Sequence, residues 1–246
     1  MSDDFLFGVA PYLVLVGFPA ALAIRLAIDV WRGVDAREGW SRARALFRGG
    51  AAWRYGLLAV VVMHVVAWLI PGEMLLWNRA FVHLLVIEGV RLLCGVFLLV
   101  GVLHLLAAHF GRSAVRADGS PLDAALVTIV ALQIVCGVAI AVFYRWASSW
   151  SAVTVTPYVI SVVALQPRVE LINDLPYLVR LHVFATLVGL AVLPWTTASY
   201  FIFYPLQRAA LLLVSPFGRL ARSAWARIEA SGRPAQALAI WREEED

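Results

Sequence analysis

The sequence contains no lysine and little charge of any kind, and these shortages set the first limits on its class. All 20 basic residues are arginine, charged residues make up 15% of the 246 residues, and hydrophobic residues make up 62%. A soluble domain of this length carries far more charge on its surface. Together with a mean hydropathy of +0.83, the composition predicts a protein of the lipid bilayer.

Cysteine is also scarce. Cys94 and Cys136 are the two cysteines of the chain, and neither belongs to a Cys-x-x-Cys or Cys-x-x-Cys-His pattern, which argues against a thiol redox pair and c-type haem attachment. We interpret both as small packing residues.

The sequence has no internal repeat and no Pro/Gly/Ser-rich linker, which predicts one transmembrane domain over residues 1–207 and an amphipathic basic tail over residues 208–246.

Long apolar runs are abundant, and each is close to the roughly 20 residues that a membrane-spanning helix needs. The runs are Phe5 to Ile28, Trp53 to Ile70, Phe81 to Ala107, Leu122 to Phe143, and Tyr177 to Pro205. They predict an all-α integral membrane protein, a bundle of five transmembrane helices. The first run follows an acidic start and is too long for the apolar region of a secretory signal, so we expect it to stay in the mature protein.

The placement of the arginines predicts the orientation, because basic loops are retained in the cytoplasm. Fourteen arginines fall in the loops after the first and third runs and in the tail, against four on the other side. The amino terminus is therefore expected outside and the carboxyl terminus inside, in a prokaryotic plasma (inner) membrane. We interpret the isoelectric point of about 9.4 as this asymmetry, and not as a sign of nucleic-acid binding.

Ionisable side chains within a membrane are costly and usually functional. The predicted spans hold six that stand out, namely His64, His83, Glu88, Arg91, His104 and His182. At about 1.5 Å per residue, His64 and His182 are both expected about 8–10 Å below the outer surface. Two facing imidazoles suit the two axial positions of a haem iron, and two packed, hydrogen-bonded histidines are the alternative.

The chain resembles a known family, the gamma subunit of respiratory nitrate reductase, which is a five-helix cytochrome b. The resemblance is clearest in three places, which are the segment from His64 to Pro71, the residues 113–117 leading into 133–137, and Arg180-Leu181-His182 followed by Pro194. It implies two haems stacked across the membrane, each held by one histidine from the second helix and one from the fifth. His64 and His182 fall on the ligands of the outer haem b.

The ligand positions of the inner haem depart from the family pattern. Arg54 and Tyr200 stand where the resemblance implies histidines, and arginine is not an ordinary ligand of haem iron. His104 and His109 are the other histidines expected on the inner side, and they would serve an inner haem only in a different geometry. We therefore expect a variant with one haem b.

The resemblance also implies quinol oxidation at the outer face, beside that haem. His83, Glu88 and Arg91 near the outer end of the third helix are the candidates for the quinol site, since the reaction needs a base and a hydrogen-bond donor. Arg91 and Arg180 are candidates for binding the haem propionates. A structural ion pair between Glu88 and Arg91 is the alternative for those two residues.

We therefore predict the haem b subunit of a respiratory oxidoreductase complex, which passes electrons from quinol to a partner redox subunit. The partner is expected to be an iron–sulfur subunit of a molybdopterin enzyme such as nitrate reductase, or a periplasmic cytochrome c. Electron flow in the reverse direction, towards quinone, stays open. The rival hypotheses are a haem-free membrane anchor of a catalytic complex and a small proton-coupled transporter.

Overall fold

The computed structural model of the chain describes residues 4–113, 120–144 and 146–209, without the side chains of residues 108–113. Every regular element in those ranges is a helix, as predicted. The helices are α1 (Phe5–Trp31), α2 (Ala36–Leu46), α3 (Ala51–Leu69), α4 (Pro71–Trp77), α5 (Phe81–Ser113), α6 (Pro121–Phe143), α7 (Ala147–Val163), α8 (Glu170–Asn173) and α9 (Tyr177–Val192). Apart from residues 208 and 209, the predicted tail lies outside the described residues.

Five of the described helices are long and apolar enough to cross a membrane, which confirms the predicted number of spans. The spans are Phe5–Trp31, Ala51–Leu69, Phe81–Ala107, Pro121–Phe143 and Tyr177–Trp195. The shortest have 19 residues and rise about 28 Å at 1.5 Å per residue, close to the roughly 30 Å of a bilayer core. Large apolar side chains face outward along them, and Leu93, for example, is 70% exposed. Such a surface suits lipid.

The spans pack in the order α3, α5, α6 and α9, with α1 also against α9. We call one end of the bundle the arginine-rich end; there α1 and α5 finish, α3 and α6 begin, and the arginine-bearing loops follow. The other end, which holds α4, α7 and α8, is called the opposite end. It has an apolar cluster in which the Tyr158 hydroxyl donates to the carbonyl of Phe7 over 2.7 Å.

The half of the bundle next to the arginine-rich end is closely packed, because α3 and α5 meet backbone to backbone. A Cβ atom at Gly56 would lie 2.8 Å from the Cα of Leu98, and one at Gly101 would overlap the backbone of Trp53. Only glycine permits such an approach. Around it lies the main apolar core, which consists of Trp53, Leu98, Val102, Leu105, Val127, Ala131 and Ile134.

The fifth span does not continue to Pro205 as the apolar run predicts. α9 ends at Val192, short 3₁₀ turns follow at Leu193–Trp195 and Thr197–Ser199, and the chain is helical again over residues 200–209. Pro194 explains the break, because proline has no N–H and its ring clashes with the carbonyl four residues earlier. Thr197 donates its backbone N–H to the buried Asp123 on α6 over 2.7 Å. A backbone N–H at the break is therefore paired with a side chain of the neighbouring span.

Candidate functional site

The structure brings together the two histidines that the sequence places at one depth. His64 lies five residues before the end of α3, and His182 lies five residues after the start of α9. Both side chains are half-buried, and their imidazoles lie within electrostatic reach of each other. The pair lies in the half of the bundle nearer the opposite end.

The ring orientation of His64 is fixed by its own helix. Its Nδ1 lies 2.8 Å from the carbonyl oxygen of Val60, one turn earlier in α3. A carbonyl can only accept a hydrogen bond, so Nδ1 carries the proton, and in the neutral ring Nε2 has a free lone pair. Nε2 is therefore the nitrogen that His64 can offer to a metal.

The ring of His182 lies against α6 and is less completely bonded. It approaches the backbone carbonyl of Gln133, and its Cε1 lies 3.5 Å from where a Cβ atom of Gly137 would stand. Its Nδ1 is buried and has no hydrogen-bond partner. An unpaired nitrogen of this kind is costly in an apolar bundle, which makes His182 a second ligand candidate.

The chemistry of this pair fits a metal that arrives with most of its ligands already bound. Within the described residues, no group of three or more His, Cys, Asp and Glu side chains is arranged to hold a bare metal ion. A haem iron needs only two axial ligands from the protein, because the porphyrin supplies the other four nitrogens. Two imidazoles from opposite sides match that requirement.

Arg91 offers unused hydrogen-bond donors beside this pair. Its side chain is half-buried, and it interacts electrostatically with both Glu88 and His64. No ion pair joins Arg91 to Glu88 among the described side chains, and the Nη1 of Arg91 is buried without a partner. The guanidinium is thus placed to bind an anionic group of a ligand. Arg180 is also half-buried, two residues before His182.

Glu88 belongs to a hydrogen-bonded link between α5 and the start of α7. Its Oε1 accepts the backbone N–H of Ser148 over 2.8 Å. The Ser148 hydroxyl accepts in turn from the amide of Asn78 over 3.1 Å, and that amide also donates to Ser149 over 3.0 Å. The Glu88 carboxylate therefore binds the start of α7, the helix that covers the opposite end.

His83 lines a groove whose lining residues do not include Glu88 or Arg91. Its ring stacks on Trp77, with ring centres 4.3 Å apart and planes at 21°. The groove has a volume of about 510 Å³, and we call it the His83 groove; it is lined by Ile70, Glu73, Met74, Leu76, Trp77, His83 and Ile87. It combines apolar walls with one imidazole and one carboxylate.

Two polar residues of these sites were missed by the sequence analysis. Glu73 lines the His83 groove, and its position beside Pro71, at the end of an apolar run, was a usable signal. Gln133 lies one turn before Gly137 and donates through Nε2 to the hydroxyl of Thr186 on α9. Its place within a segment already singled out for its resemblance was the available signal.

At the arginine-rich end, Tyr200 is buried and fully engaged. Its hydroxyl donates to Oδ2 of Asp29 over 2.8 Å, and the same carboxylate pairs with Arg25 at 3.0 Å. The Tyr200 ring lies so close to Gly39 that no larger residue fits there. Burial, and then the hydrogen bond to Asp29, raise the pKa of the Tyr200 phenol. Arg54 is exposed.

The chain is similar to proteins of one known family. The family described as "Nitrate reductase gamma subunit" matches residues 3–208. The nitrate reductase gamma chain of Bacillus subtilis (strain 168) is 26% identical over 212 residues, which cover 84% of this chain and 94% of that one. The match spans nearly the whole chain and confirms the resemblance inferred from the sequence. The chain belongs to the nitrate reductase gamma subunit family.

Proposed function

We propose that this protein is the haem b subunit of a membrane-bound nitrate-reductase-type complex, and that it takes electrons from quinol and passes them to a partner redox subunit. The observation that carries the proposal is the pair His64 and His182. Their imidazoles come from two different spans and lie within electrostatic reach of each other, and neither ring has both of its nitrogens hydrogen-bonded within the protein. Membership of the gamma subunit family supports the same function.

His64 and His182 would hold the haem through one nitrogen each. Gly137 leaves space beside the His182 ring, and Arg91 supplies a donor to a propionate; Arg180, close to His182 in sequence, is the second candidate for that role. A haem b bound there would supply one-electron transfer.

We propose one haem per chain, in the half of the bundle that holds His64 and His182. In the other half, α3 and α5 are in backbone contact at Gly56 and Gly101, and the space between the spans is filled by apolar core. Tyr200 stands at a position where a second haem would need a ligand, but its hydroxyl is bonded to Asp29. Among the described residues of that half, these contacts support the absence of a second pair of iron ligands.

We propose the His83 groove as the place where the quinol head group binds. Its apolar walls and stacked Trp77 suit a flat ring, and His83 and Glu73 are positioned to accept the protons that a quinol loses on oxidation. Glu88 then has a different role from the one first considered, since its carboxylate holds Ser148. It stabilises the cover of the site and does not take a proton from the substrate.

The placement of arginines supports an orientation with the arginine-rich end in the cytoplasm of a prokaryotic cell and the His83 groove outside. The family supports partner subunits of a nitrate-reductase-type complex, and we propose that they carry iron–sulfur and molybdopterin centres. A periplasmic cytochrome c is the alternative partner, and it is favoured by the position of the histidine pair near the outer surface.

The haem is tested with the purified full chain. We expect a pyridine haemochrome ratio near one haem per chain, with sharp reduced α and Soret bands. His64→Ala and His182→Ala should lose the spectrum, whereas His104→Ala, which changes an exposed histidine on α5, should keep it. A haem-free wild-type protein would leave the membrane anchor or the transporter as the function.

The quinol site is tested by stopped-flow reduction of the haem with a quinol analogue. We expect His83→Leu and Glu73→Gln to slow reduction while the haem spectrum stays normal. Glu88→Gln should lower protein yield more than the rate per haem, and the exposed Glu170→Gln serves as the control. Unchanged rates in fully loaded His83→Leu and Glu73→Gln proteins would remove the groove from the mechanism.

A further inference from the structure

The two candidate ligands differ in how their second ring nitrogen is held. Nδ1 of His64 donates to the carbonyl of Val60, whereas Nδ1 of His182 is buried without a partner. A histidine that binds a metal usually donates its other ring N–H to a fixed acceptor, which sets the ring orientation and raises its basicity. The His182 ring approaches the backbone carbonyl of Gln133, but its Nδ1 does not form there the kind of hydrogen bond that fixes His64.

The side-chain amide oxygen of Gln133 is a buried hydrogen-bond acceptor without a partner. The Thr186 hydroxyl donates to the backbone carbonyl of His182 over 3.0 Å. A hydroxyl has a single hydrogen, so Thr186 can only accept from Gln133, and the amide nitrogen must be the group that faces it. The amide oxygen points away from Thr186, and it is buried without a partner.

The unmatched donor and the unmatched acceptor lie in the same small region between α6 and α9. The His182 ring approaches the backbone of Gln133, and its Cε1 lies beside Gly137, one turn further along α6. Thr186, which holds the Gln133 amide, is one turn after His182 in α9.

We propose that Gln133 is the positioning residue for His182, and that its amide oxygen accepts the Nδ1–H of His182 when Nε2 binds the haem iron. Thr186 fixes the amide in the orientation that makes this possible. The inference rests on the proposed haem site. It also makes the two ligands unequal, since His64 is held by a backbone carbonyl that no substitution removes, and His182 by a side chain of another span.

Such a hydrogen bond strengthens electron donation by the imidazole and favours ferric over ferrous iron. Gln133→Leu should therefore raise the midpoint potential of the haem. A tenfold loss in the preference for ferric iron corresponds to about 59 mV for one electron. Gln133→Glu keeps an oxygen at the same reach, so the potential should stay at or below that of the wild type. Thr186→Val should shift it upward by less than Gln133→Leu.

The experiment is a redox titration of the purified full chain, together with electron paramagnetic resonance of the ferric haem. The matched control is Thr128→Val, because Thr128 lies on α6 and its hydroxyl bonds only to the carbonyl of Ala124 in its own helix, at 2.9 Å. We expect a higher potential and shifted ferric resonances in Gln133→Leu and Thr186→Val, and wild-type values in Thr128→Val.

The outcomes separate this inference from the function on which it rests. A wild-type protein without haem overturns both. A haem-loaded wild type whose potential and resonances are the same in Gln133→Leu overturns the role of Gln133 alone. If Gln133→Leu yields no protein, Thr186→Val decides, since an unchanged potential in that variant also overturns the proposal.

Discussion

Removing the hydroxyl of Tyr200 should destabilise the protein without changing its haem content. Tyr200 is only 4% exposed, and its hydroxyl donates to the buried carboxylate of Asp29 over 2.8 Å. A hydrogen bond to a charged group contributes about 1.5–3 kcal/mol, and Tyr200→Phe removes it while keeping the ring against Gly39. Asp29 retains Arg25 at 3.0 Å, so the carboxylate is not left wholly unpaired.

The assay is unfolding of the detergent-solubilised full chain, followed by circular dichroism. For a chain of this size, a loss of about 1.5–3 kcal/mol lowers the melting temperature by roughly 3–12 °C. Tyr177→Phe is the matched control, because Tyr177 is 71% exposed and the loss of an exposed hydroxyl changes stability by at most about 0.5 kcal/mol. Equal melting temperatures for the two variants would refute the structural role of the Tyr200 hydroxyl.

Three further outcomes are expected. The double variant Arg54→His/Tyr200→His should still give a pyridine haemochrome ratio near one, because backbone contacts between α3 and α5 close that half of the bundle; a ratio near two would contradict this. An alkaline phosphatase fusion at Asp246 should be inactive and a cytoplasmic reporter there active, and the reverse result would invert the proposed orientation. Burial raises the pKa of Tyr158 from 10.0 to about 12, so its stabilising contribution is complete below pH 10 and is lost between about pH 10 and 12. That loss is at most about 2.7 kcal/mol, and Tyr158→Phe should abolish it in alkaline unfolding titrations.

The spans could be predicted from the sequence because each helix that crosses the hydrocarbon core needs about 20 apolar residues. The predicted third run, Phe81 to Ala107, begins where α5 begins, and α5 continues to Ser113. The fifth run was predicted as one continuous helix to Pro205, because residues 193–205 contain no charged side chain. Hydropathy does not register that Pro194 removes a hydrogen bond, or that Asp123 on another span supplies the replacement.

The ligand pair could be proposed from sequence because an uncompensated histidine in a span is conspicuous and its depth follows from helical rise. The residues that lie beside those histidines could not be predicted from the sequence. Gln133 and Glu73 look ordinary in sequence, and each acquires a role only through what the fold places beside it. Glu88 is the converse case, since a carboxylate at a promising depth turns out to bond a backbone N–H that lies 60 residues away.

Several separate contacts in the arginine-rich half of the bundle support the one-haem proposal. The Tyr200 hydroxyl donates to Oδ2 of the buried Asp29, and Arg25 donates to both oxygens of the same carboxylate. Gly39 is small enough to admit the Tyr200 ring, and Gly101 lets α3 approach α5. Restoring a single ligand would leave the other contacts in place, still closing the space. On the proposed function, a single haem would thus follow from the packing of the described residues as a whole, and electron transfer would be confined to the half that contains His64 and His182.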